Sequence, residues 1–370
     1  MRSARKINIL FAIPNFTTAG SGREMFNIIE RLDKATFNPI IAIQQEGGAL
    51  YDEIKQKGYR LITAPFIANN TGLITGIMNA VRNASLFKQL NIDIWQSFNW
   101  SSDYTEAITA RLCGAKYVYV KKNMNWGRKA WQIKSYIASA IVARNTSLVK
   151  HIFNSSTLRK KTYFITGAVD VNKFKPRQSE NSLANSTKNL TVCCIAQLIR
   201  LKGQDTLIKA IAKLDNVNLL LTGSTRDEAY RNELETLIRS MGIEQRVKII
   251  EYTPSQQLLG DIDVFVLPTN KRFGHEEGCP VALLEAMATG LPCIASNVAG
   301  NIDLIQHEET GLLFEVDDAD ALAKQIYRVQ KDKELSKRLG MAARQKVVAK
   351  HTLEKEVADF SKLYLQLSGR

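Results

Sequence analysis

Two glutamates eight residues apart, Glu277 and Glu285, are the side chains of this sequence best placed to do chemistry together. Between and beyond them, Pro280 suits the first position of a helix, and Gly290 suits the left-handed residue that ends one. The free amides and the positive dipole end of a helix start form a site for anions. The arrangement therefore suits a nucleotide sugar, with Glu277 at the sugar, the helix start at the diphosphate and Glu285 at the ribose diol.

The helix predicted after Pro280 is apolar almost all round, which indicates that it is buried. Glu285 is the one residue that breaks this pattern, and mostly small side chains surround it on the helix surface. A buried carboxylate without a partner is costly, so Glu285 needs hydrogen-bond donors. Ribose hydroxyls would supply them. The alternative is that Glu285 only caps the helix or pairs with a neighbouring lysine.

The elements that must position these residues alternate between short β-rich runs and longer helical ones. Strands are predicted at 6–13, 39–43, 60–64, 92–96, 117–120, 148–153, 190–196, 217–222, 247–251, 264–267 and 293–296. Helices are predicted at 22–32, 49–57, 73–90, 102–113, 128–144, 203–214, 226–241, 280–289, 318–330 and 334–368. Such alternation is typical of doubly wound parallel sheets, so the predicted fold class is α/β.

A polar stretch at 177–189 interrupts the alternation and divides the chain. The sequence therefore predicts two Rossmann-like domains facing across a cleft. We assign 1–172 to the acceptor and membrane side and 173–350 to the donor, with 351–370 as a C-terminal helix able to return to the first domain. Ligands bind beyond the carboxyl ends of parallel strands, so the loops after residues 13, 196, 267 and 296 are expected to face that cleft.

Composition indicates a soluble protein of the cytosol. The hydrophobic fraction is 45% and the charged fraction is 23%, which are ordinary values for a globular chain of 370 residues. The five cysteines form no Cys-x-x-Cys pair, so we interpret them as reduced thiols. The first apolar run is too short for a signal peptide and reads as a strand. No apolar run approaches the roughly 18 residues of a membrane span.

Positive charge is concentrated in the first half of the chain. Residues 1–175 hold 25 Lys and Arg against 10 Asp and Glu, whereas the remainder holds 25 against 26. No carboxylate occurs between Glu106 and Asp170, a gap that contains twelve Lys or Arg. So uneven a distribution favours an anionic surface or substrate, although a solvated basic face is the simpler alternative.

The second half resembles the retaining GT-B glycosyltransferases of family 4 over nearly its whole length. The resemblance rests on AQLIRLKGQDTLIKAIAKL, LLLTGS, VFVLPT, EEGCPVALLEAMATGLPCIAS, NVAGNIDLI and TGLLF in this order. Glu277 and Glu285 match the Glu-x7-Glu motif of that family. The first half resembles the family more weakly, through the small-residue loop at 19–22 and the segment VDVNKF at 169–174.

The resemblance implies a retaining transfer of a sugar from a nucleoside diphosphate donor, without a metal and without a cofactor. It implies that Glu285 holds the ribose hydroxyls and that Glu277 holds a hydroxyl of the donor sugar. The amides of Val281 and Ala282 would contact the diphosphate. Lys202 would neutralise the leaving diphosphate, the main electrostatic task when no divalent ion is present. The alternative for Lys202 is an exposed lysine at a helix entry.

Both halves of the sequence contain further site candidates. The donor-site candidates are His275, Gly278, Cys279, Pro280 and Gly223. In the first half, Gly20, Ser21 and Gly22 could bring backbone amides close to a phosphate or an acceptor sugar.

The chain departs from the family pattern at three places. The arginine that the family carries before its lysine is displaced here to Arg200, two residues before Lys202, and from a loop it could still reach the phosphates of the donor. The Asn-Gly-Val-Asp of the family is Gly-Ala-Val-Asp at 167–170. The histidine that often follows the fifth strand is absent, and Lys-Lys-Asn stands at 121–123. A front-side mechanism, in which the leaving phosphate takes the acceptor proton, needs no protein base.

The segment 123–150 mixes aromatic and basic residues in the manner of a peripheral membrane surface. The predicted membrane or acceptor surface consists of Trp126, Arg128, Lys129, Trp131 and Lys134. The alternative is that the apolar members are simply core. On the membrane reading, the acceptor is a lipid-linked or lipopolysaccharide-type glycan, and the protein is peripheral at the inner face of the plasma membrane.

Several other functions are disfavoured by the sequence. Asp261 and Asp263 resemble the metal-binding Asp-x-Asp of another glycosyltransferase fold, but they immediately precede a predicted buried strand, so no metal site is predicted. Neither half carries a recognised nucleic-acid module. Two alternatives stay open: a soluble glycosyltransferase with a small-molecule or protein acceptor, and a catalytically weak protein that binds nucleotide sugars.

Overall fold

The computed structural model describes residues 5–17, 19–68, 72–124, 126–176, 189–225, 227–272 and 278–370. The chain forms two units, of which the first comprises Met1–Thr166 and Leu353–Arg370 and the second comprises Gly167–Thr352. The chain passes into the second unit after residue 166, six residues before the predicted boundary at 172. It returns to the first unit after residue 352, two residues after the predicted boundary at 350. Among the described residues, no helix is both long and apolar enough to cross a bilayer.

The first unit is built on a sheet of seven parallel strands. The strands are β1 (Ile7–Ala12), β2 (Phe37–Ile43), β3 (Leu61–Thr63), β4 (Ile94–Ser97), β5 (Lys116–Lys121), β6 (Ala140–Ala143) and β7 (Thr162–Phe164). Their order is β3-β2-β1-β4-β5-β6-β7. The helices between them are α1 (Ala19–Arg31), α2 (Ala49–Gln56), α3 (Leu73–Phe87), α4 (Thr105–Leu112), α5 (Lys129–Ile137) and α6 (Ser156–Arg159).

Both faces of this sheet are covered by helices, because successive side chains of a strand point to opposite faces. Phe11 of β1 belongs to one core cluster, with Phe26 of α1. Its neighbour Leu10 belongs to the other, with Phe87 of α3 and Trp131 of α5. Helices α3, α4 and α5 therefore form a single layer on one face of the sheet.

The predicted helix over 128–144 is correct in its first part and wrong from residue 138 onward, and the predicted strand over 148–153 is wrong. Helix α5 ends at Ile137, the next residues form the fully buried strand β6, and Leu148–Ile152 is a single π-helical turn. The run that forms β6 is short and wholly apolar, because it lies between β5 and β7 with both faces covered. Periodicity alone does not distinguish such a run from the end of a buried helix.

The second unit is built on six parallel strands. They are β8 (Leu190–Ile195), β9 (Val217–Thr222), β10 (Val247–Ile250), β11 (Val264–Leu267), β12 (Cys293–Ser296) and β13 (Leu312–Phe314). Their order is β10-β9-β8-β11-β12-β13, which confirms the prediction of two doubly wound parallel sheets. The helices are α7 (Gln204–Ala212), α8 (Glu228–Ser240), α9 (Ser255–Leu258), α10 (Val281–Ala288), α11 (Ala299–Leu304), α12 (Ala319–Lys331) and α13 (Lys333–Lys350). The short elements β13, α9 and α11 were not predicted.

The helix predicted over 334–368 is two helices, α13 and α14 (Leu353–Ser368). The break lies at His351 and Thr352, where the backbone N–H of Val169 donates to the carbonyl of His351 over 2.9 Å and Thr352 bridges to Val169. Pairing with this segment keeps the two residues out of a helix. The chain therefore leaves the second unit at the break, and α14 belongs to the first unit.

Helix α14 supplies part of the first unit's core. Its side chains Val357, Phe360, Leu363 and Tyr364 are buried in the cluster that contains Phe11. Since full burial of such a side chain contributes about 1.5–3 kcal/mol, this helix is a large part of that core.

A buried ion cluster also holds α14 in place. Arg144, which follows β6, contacts Glu356 of α14 at 2.7 Å, and both side chains are 2% exposed. Arg144 also pairs with Glu24 of α1. Burial acts against the charge of Glu24, but Arg144 and Lys122 together lower the pKa of its carboxyl below the usual value.

Candidate functional site

The turn that carries Lys202 follows β8 and lies against the end of β11. Residues Arg200–Lys202 form a 3-10 turn, and Gly203 then enters α7 with a φ of 67°. A Cβ at Gly203 would lie 2.1 Å from the carbonyl oxygen of Pro268, the residue that follows β11. Both the positive φ and the close approach therefore require glycine. Gly203 fixes Lys202 at the carboxyl edge of the sheet.

Asn270, which sequence reasoning missed, holds the same turn from the other side. It is fully buried, its backbone N–H donates to the carbonyl of Leu201 over 2.9 Å, and its Nδ2 donates to the carbonyl of Arg200 over 2.6 Å. Its Oδ1 accepts from the N–H of Arg272. The signal in the sequence was an asparagine three residues after a buried strand, at the edge where ligands bind.

Arg200 is directed at helix α8. Its guanidinium pairs with the carboxylate of Glu233, with Nη1 2.5 Å from Oε2, and it lies 5.3 Å from the ring centre of Tyr230. The hydrogen bond that Arg200 donates to Glu233 raises the pKa of Arg200. Because the pair is exposed, it contributes little to stability. The predicted phosphate contact requires Arg200 to leave Glu233.

Helix α10 starts at Val281, one residue after the predicted start at Pro280. Pro280 is extended, with φ −76° and ψ 106°, and among the described residues no side chain caps this end. The first backbone N–H groups of the helix, including those of Val281 and Ala282, have no intrahelical partner. The helix ends as predicted, because Gly290 has a φ of 76°.

Cys279 and Gly278 lead into α10 and are packed rather than exposed. A Cβ at Gly167 would lie 2.8 Å from Sγ of Cys279, so the glycine makes room for the cysteine. Glu277 and His275, the two donor-sugar candidates, lie outside the described residues.

Glu285 is half-buried on α10, and its carboxylate receives a hydrogen bond from the hydroxyl of Ser255 on α9 over 2.6 Å. Burial raises the pKa of Glu285, whereas the bond from Ser255 and the charge of Lys173 act in the other direction. Among the described residues, its hydrogen-bond donor is therefore a serine, and the predicted alternative of a direct lysine pair is not formed. An ionised carboxylate offers about four lone-pair positions, so further donors such as a ribose diol can bind.

Gly223 lies where the loops after β8 and β9 pass each other. A Cβ there would lie 1.8 Å from the carbonyl oxygen of Ala196, which excludes any other residue. The N–H of Leu198 donates to the carbonyl of Ser224 across the same loops. Gly223, a donor-site candidate, therefore shapes the carboxyl edge of this sheet.

In the first unit, Gly20, Ser21 and Gly22 form the first turn of α1 instead of a separate loop. The side chain of Lys122, which follows β5, donates to the hydroxyl of Ser21 over 2.9 Å and pairs with Glu24 at 2.5 Å. The three small residues and Lys122 thus come together at the carboxyl end of this sheet.

Two residues of the predicted membrane surface, Trp131 and Lys134, are in the core, so that part of the prediction is wrong. Trp131 is 4% exposed and Lys134 is fully buried. The ammonium group of Lys134 lies 3.8 Å from the carboxylate of Glu106 and 5.2 Å from the ring centre of Tyr119. Burial lowers the pKa of Lys134 although Glu106 acts against it. The buried carboxylate of Glu106 is the reason that a lysine is tolerated there.

The other three residues of that predicted surface differ among themselves. Arg128 and Lys129 are exposed. Trp126 is half-buried and packs edge-on against Phe153, with 5.4 Å between the ring centres.

Lys121, which stands in place of the family's histidine, belongs to the same buried cluster. Its ammonium group lies 3.6 Å from the ring centre of Trp131 and donates to Oδ1 of Asn123 over 2.5 Å. Burial, with the nearby charge of Lys134, lowers its pKa to about 7.

Asp263, the second aspartate of the Asp-x-Asp sequence, binds the backbone of a neighbouring strand. Its carboxylate accepts from the backbone N–H of Thr191 over 2.8 Å, at the amino ends of β8 and β11. This edge is opposite to the one that carries Lys202. Among the described residues, no group of three or more His, Cys, Asp or Glu side chains is arranged to hold a metal ion.

Comparisons with known proteins find glycosyltransferases. Residues 175–346 match the family model described as "Glycosyl transferases group 1". The GDP-mannose-dependent alpha-(1-6)-phosphatidylinositol monomannoside mannosyltransferase of Mycobacterium tuberculosis is 26% identical, over 87% of this chain and 88% of that protein. The UDP-Gal:alpha-D-GlcNAc-diphosphoundecaprenol alpha-1,3-galactosyltransferase of Escherichia coli is 26% identical, over 94% of both. The N-acetyl-alpha-D-glucosaminyl L-malate synthase of Bacillus anthracis is 32% identical over 46% of this chain and 44% of that protein.

Solved structures with the same fold cover almost the whole chain. A glycosyltransferase from Rickettsia africae has a TM-score of 0.84 at 19% identity, over 98% of this chain and 99% of that one. HepE from Anabaena, in complex with UDP and glucose, has a TM-score of 0.82 at 18% identity, over 97% of this chain and 100% of that one. These likenesses confirm the predicted fold as GT-B.

Proposed function

The chain is a glycosyltransferase of the GT-B fold and of the family 4 type, and on that premise we propose that it moves a hexosyl group from a nucleoside diphosphate sugar to a lipid-linked or cell-envelope glycan, with retention and without a metal ion. The observation that carries the proposal is the start of α10, where no described side chain caps the amides and the half-buried carboxylate of Glu285 follows about one turn later on the same helix. The nucleotide sugar is a co-substrate, and no cofactor is proposed.

In the proposed reaction the bond between the anomeric carbon and the donor's phosphate oxygen breaks, and a bond from the acceptor hydroxyl forms on the same face. The proton of that hydroxyl passes to the departing phosphate oxygen, so no side chain needs to act as a base. Negative charge that develops on the diphosphate meets Lys202 and the amides at the start of α10. Glu285 holds the ribose, with Glu277 assigned to the donor sugar.

The relatives support an envelope acceptor but differ in their donors. One is dependent on GDP-mannose, and another uses UDP-Gal with a diphosphoundecaprenol acceptor. An acceptor of this class places the enzyme, in our proposal, at the inner face of the plasma membrane as a peripheral protein. The N-acetyl-alpha-D-glucosaminyl L-malate synthase of Bacillus anthracis, named for a sugar joined to L-malate, supports the second candidate, a small-molecule acceptor.

Activity is expected to persist in EDTA, because in the proposed mechanism Lys202 and helix amides take the role of a divalent ion. The measurement is release of nucleoside diphosphate from a panel of UDP and GDP sugars, with and without the chelator. A strict requirement for Mg²⁺ or Mn²⁺ would contradict the metal-free mechanism. Absence of release with every donor and acceptor tested would favour a catalytically weak binding protein.

Arg200 can be tested through its partner. Changing Glu233 to Gln frees the guanidinium while leaving Arg200 in place, and changing Arg200 to Ala removes it. If Arg200 contacts the donor phosphates, we expect Arg200→Ala to lower kcat/KM about tenfold or more and Glu233→Gln to leave it unchanged or higher. Equal, small effects of both changes would restrict Arg200 to its exposed ion pair with Glu233.

A further inference from the structure

Helix α3 exposes a continuous apolar stripe. Ile74, Ile77, Met78 and Val81 are 75%, 42%, 66% and 54% exposed, at the spacing that places them on one side of the helix. The rest of α3 is already packed, because Phe87 belongs to the core cluster on the sheet and Ala80 and Ala84 are buried. The exposed apolar residues of the stripe are therefore not part of the core of this unit.

The layer that contains α3 also exposes charge of one sign. The sequences of α3, α4 and α5 contain one acidic residue, Glu106, and its side chain is fully buried. The exposed charged side chains of these three helices are Arg82, Arg111 and Lys129. Lys88 and Arg128, which flank the helices, are exposed as well.

Helix α5 repeats the combination on a smaller scale. Ile133 is 40% exposed and Tyr136 is 55% exposed, on the side that also carries Lys129. Leu112, at the end of α4, is 43% exposed. Apolar side chains thus stand out from all three helices of the layer, with basic side chains among them.

We propose that this outer face of α3, α4 and α5 docks on an anionic lipid bilayer, with the stripe of α3 inserted at the headgroup boundary and the basic residues at the anionic headgroups. The proposal rests on the proposed function, since a lipid-linked acceptor requires the enzyme at a membrane. It replaces the predicted surface that included Trp131 and Lys134, both of which are in the core.

Charge complementarity favours a lipid surface over a second copy of the chain. A symmetric dimer through this face would bring Arg82, Arg111 and Lys129 against the same residues of the partner, without carboxylates from the three helices to pair with them. An apolar stripe with flanking basic residues and no exposed carboxylate matches the composition of an interfacial helix on anionic lipid.

The test is co-sedimentation of the full chain with vesicles of phosphatidylcholine, with and without phosphatidylglycerol, at low and high salt. We expect binding that requires phosphatidylglycerol and weakens with salt. Changing Ile74 and Val81 together to Glu should lower the vesicle affinity by about tenfold or more.

The matched control changes Met341 and Val348 of α13 to Glu. These are two apolar residues at the same spacing, and they are 53% and 45% exposed. This control is expected to bind vesicles as the unchanged chain does.

Donor affinity, measured by calorimetry on the same proteins, separates this inference from the proposed function. A chain that binds the donor normally but does not bind anionic vesicles would overturn the docking surface and leave the glycosyltransferase function in place. Equal loss in the α3 variant and the α13 control would also overturn it. Sedimentation could instead show that the unchanged chain is a dimer and that the α3 variant is a monomer. If neither binds vesicles, a second copy of the chain covers the face. Lack of any donor binding would contradict the proposed function, whatever the vesicles show.

Discussion

Replacing Lys202 with alanine is expected to lower turnover about a hundredfold or more, because it removes positive charge where negative charge develops on the leaving diphosphate. The turn that carries Lys202 is fixed by Gly203 and by Asn270, so its backbone is held before the donor arrives. Such preorganisation means that no reorganisation cost is incurred during the reaction. The loss should therefore appear mainly in kcat, measured by release of nucleoside diphosphate.

The matched control is Lys209→Ala, which removes a lysine of the same local segment. Lys209 lies on α7 with its side chain 45% exposed, and it contacts Asp205 at 3.9 Å. This variant should keep kcat within about a factor of two, since an exposed pair of this kind contributes roughly 0.3–0.5 kcal/mol. Similar activity of the two variants would show that Lys202 does not act on the leaving group.

Replacing Glu285 with glutamine is expected to weaken donor binding by about 1.5–3 kcal/mol, because a neutral amide is a poorer acceptor from ribose hydroxyls than a carboxylate is. The fold should tolerate the change. Burial raises the pKa of Glu285, which means that its surroundings disfavour the charge, so the melting temperature should be unchanged or higher. Calorimetric titration with the donor and thermal unfolding together measure both effects.

Ser255→Ala is the control for this second prediction. It removes the hydroxyl that donates to Glu285 but keeps the carboxylate. Donor affinity should then change less than in Glu285→Gln, because the ribose contacts remain. Donor affinity that is the same for Glu285→Gln and for the unchanged chain would reject the ribose role.

The elements with sharp local signals were predicted well. Strands β9, β11 and β12 have the predicted bounds, and Gly290, two residues after the end of α10, has the positive φ that its position required. Short buried strands flanked by turns and a helix bounded by Pro and Gly carry their information within a few residues. The two sheets followed from the alternation of such signals.

What the sequence did not reveal depends on partners far apart in the chain. Lys134 was assigned to a surface because its neighbours are basic and aromatic, but Glu106, on another helix, holds it in the core. The side chains of Asn270 and Ser255 were missed because their importance lies in what they bind, the Arg200 carbonyl and Glu285. Arg200 itself is paired with a residue of α8. Such pairs are far apart in the sequence and leave no periodic pattern in it.

The return of α14 to the first unit has a consequence for the order in which the protein is made. Every strand of the seven-stranded sheet is synthesised before the second unit begins, yet the helix that buries Phe360 and Tyr364 against that sheet is synthesised after the second unit ends. The second unit is one uninterrupted stretch and can complete its core during translation. The first unit must wait, with an apolar face uncovered and Arg144 lacking Glu356, until the ribosome has passed residue 368.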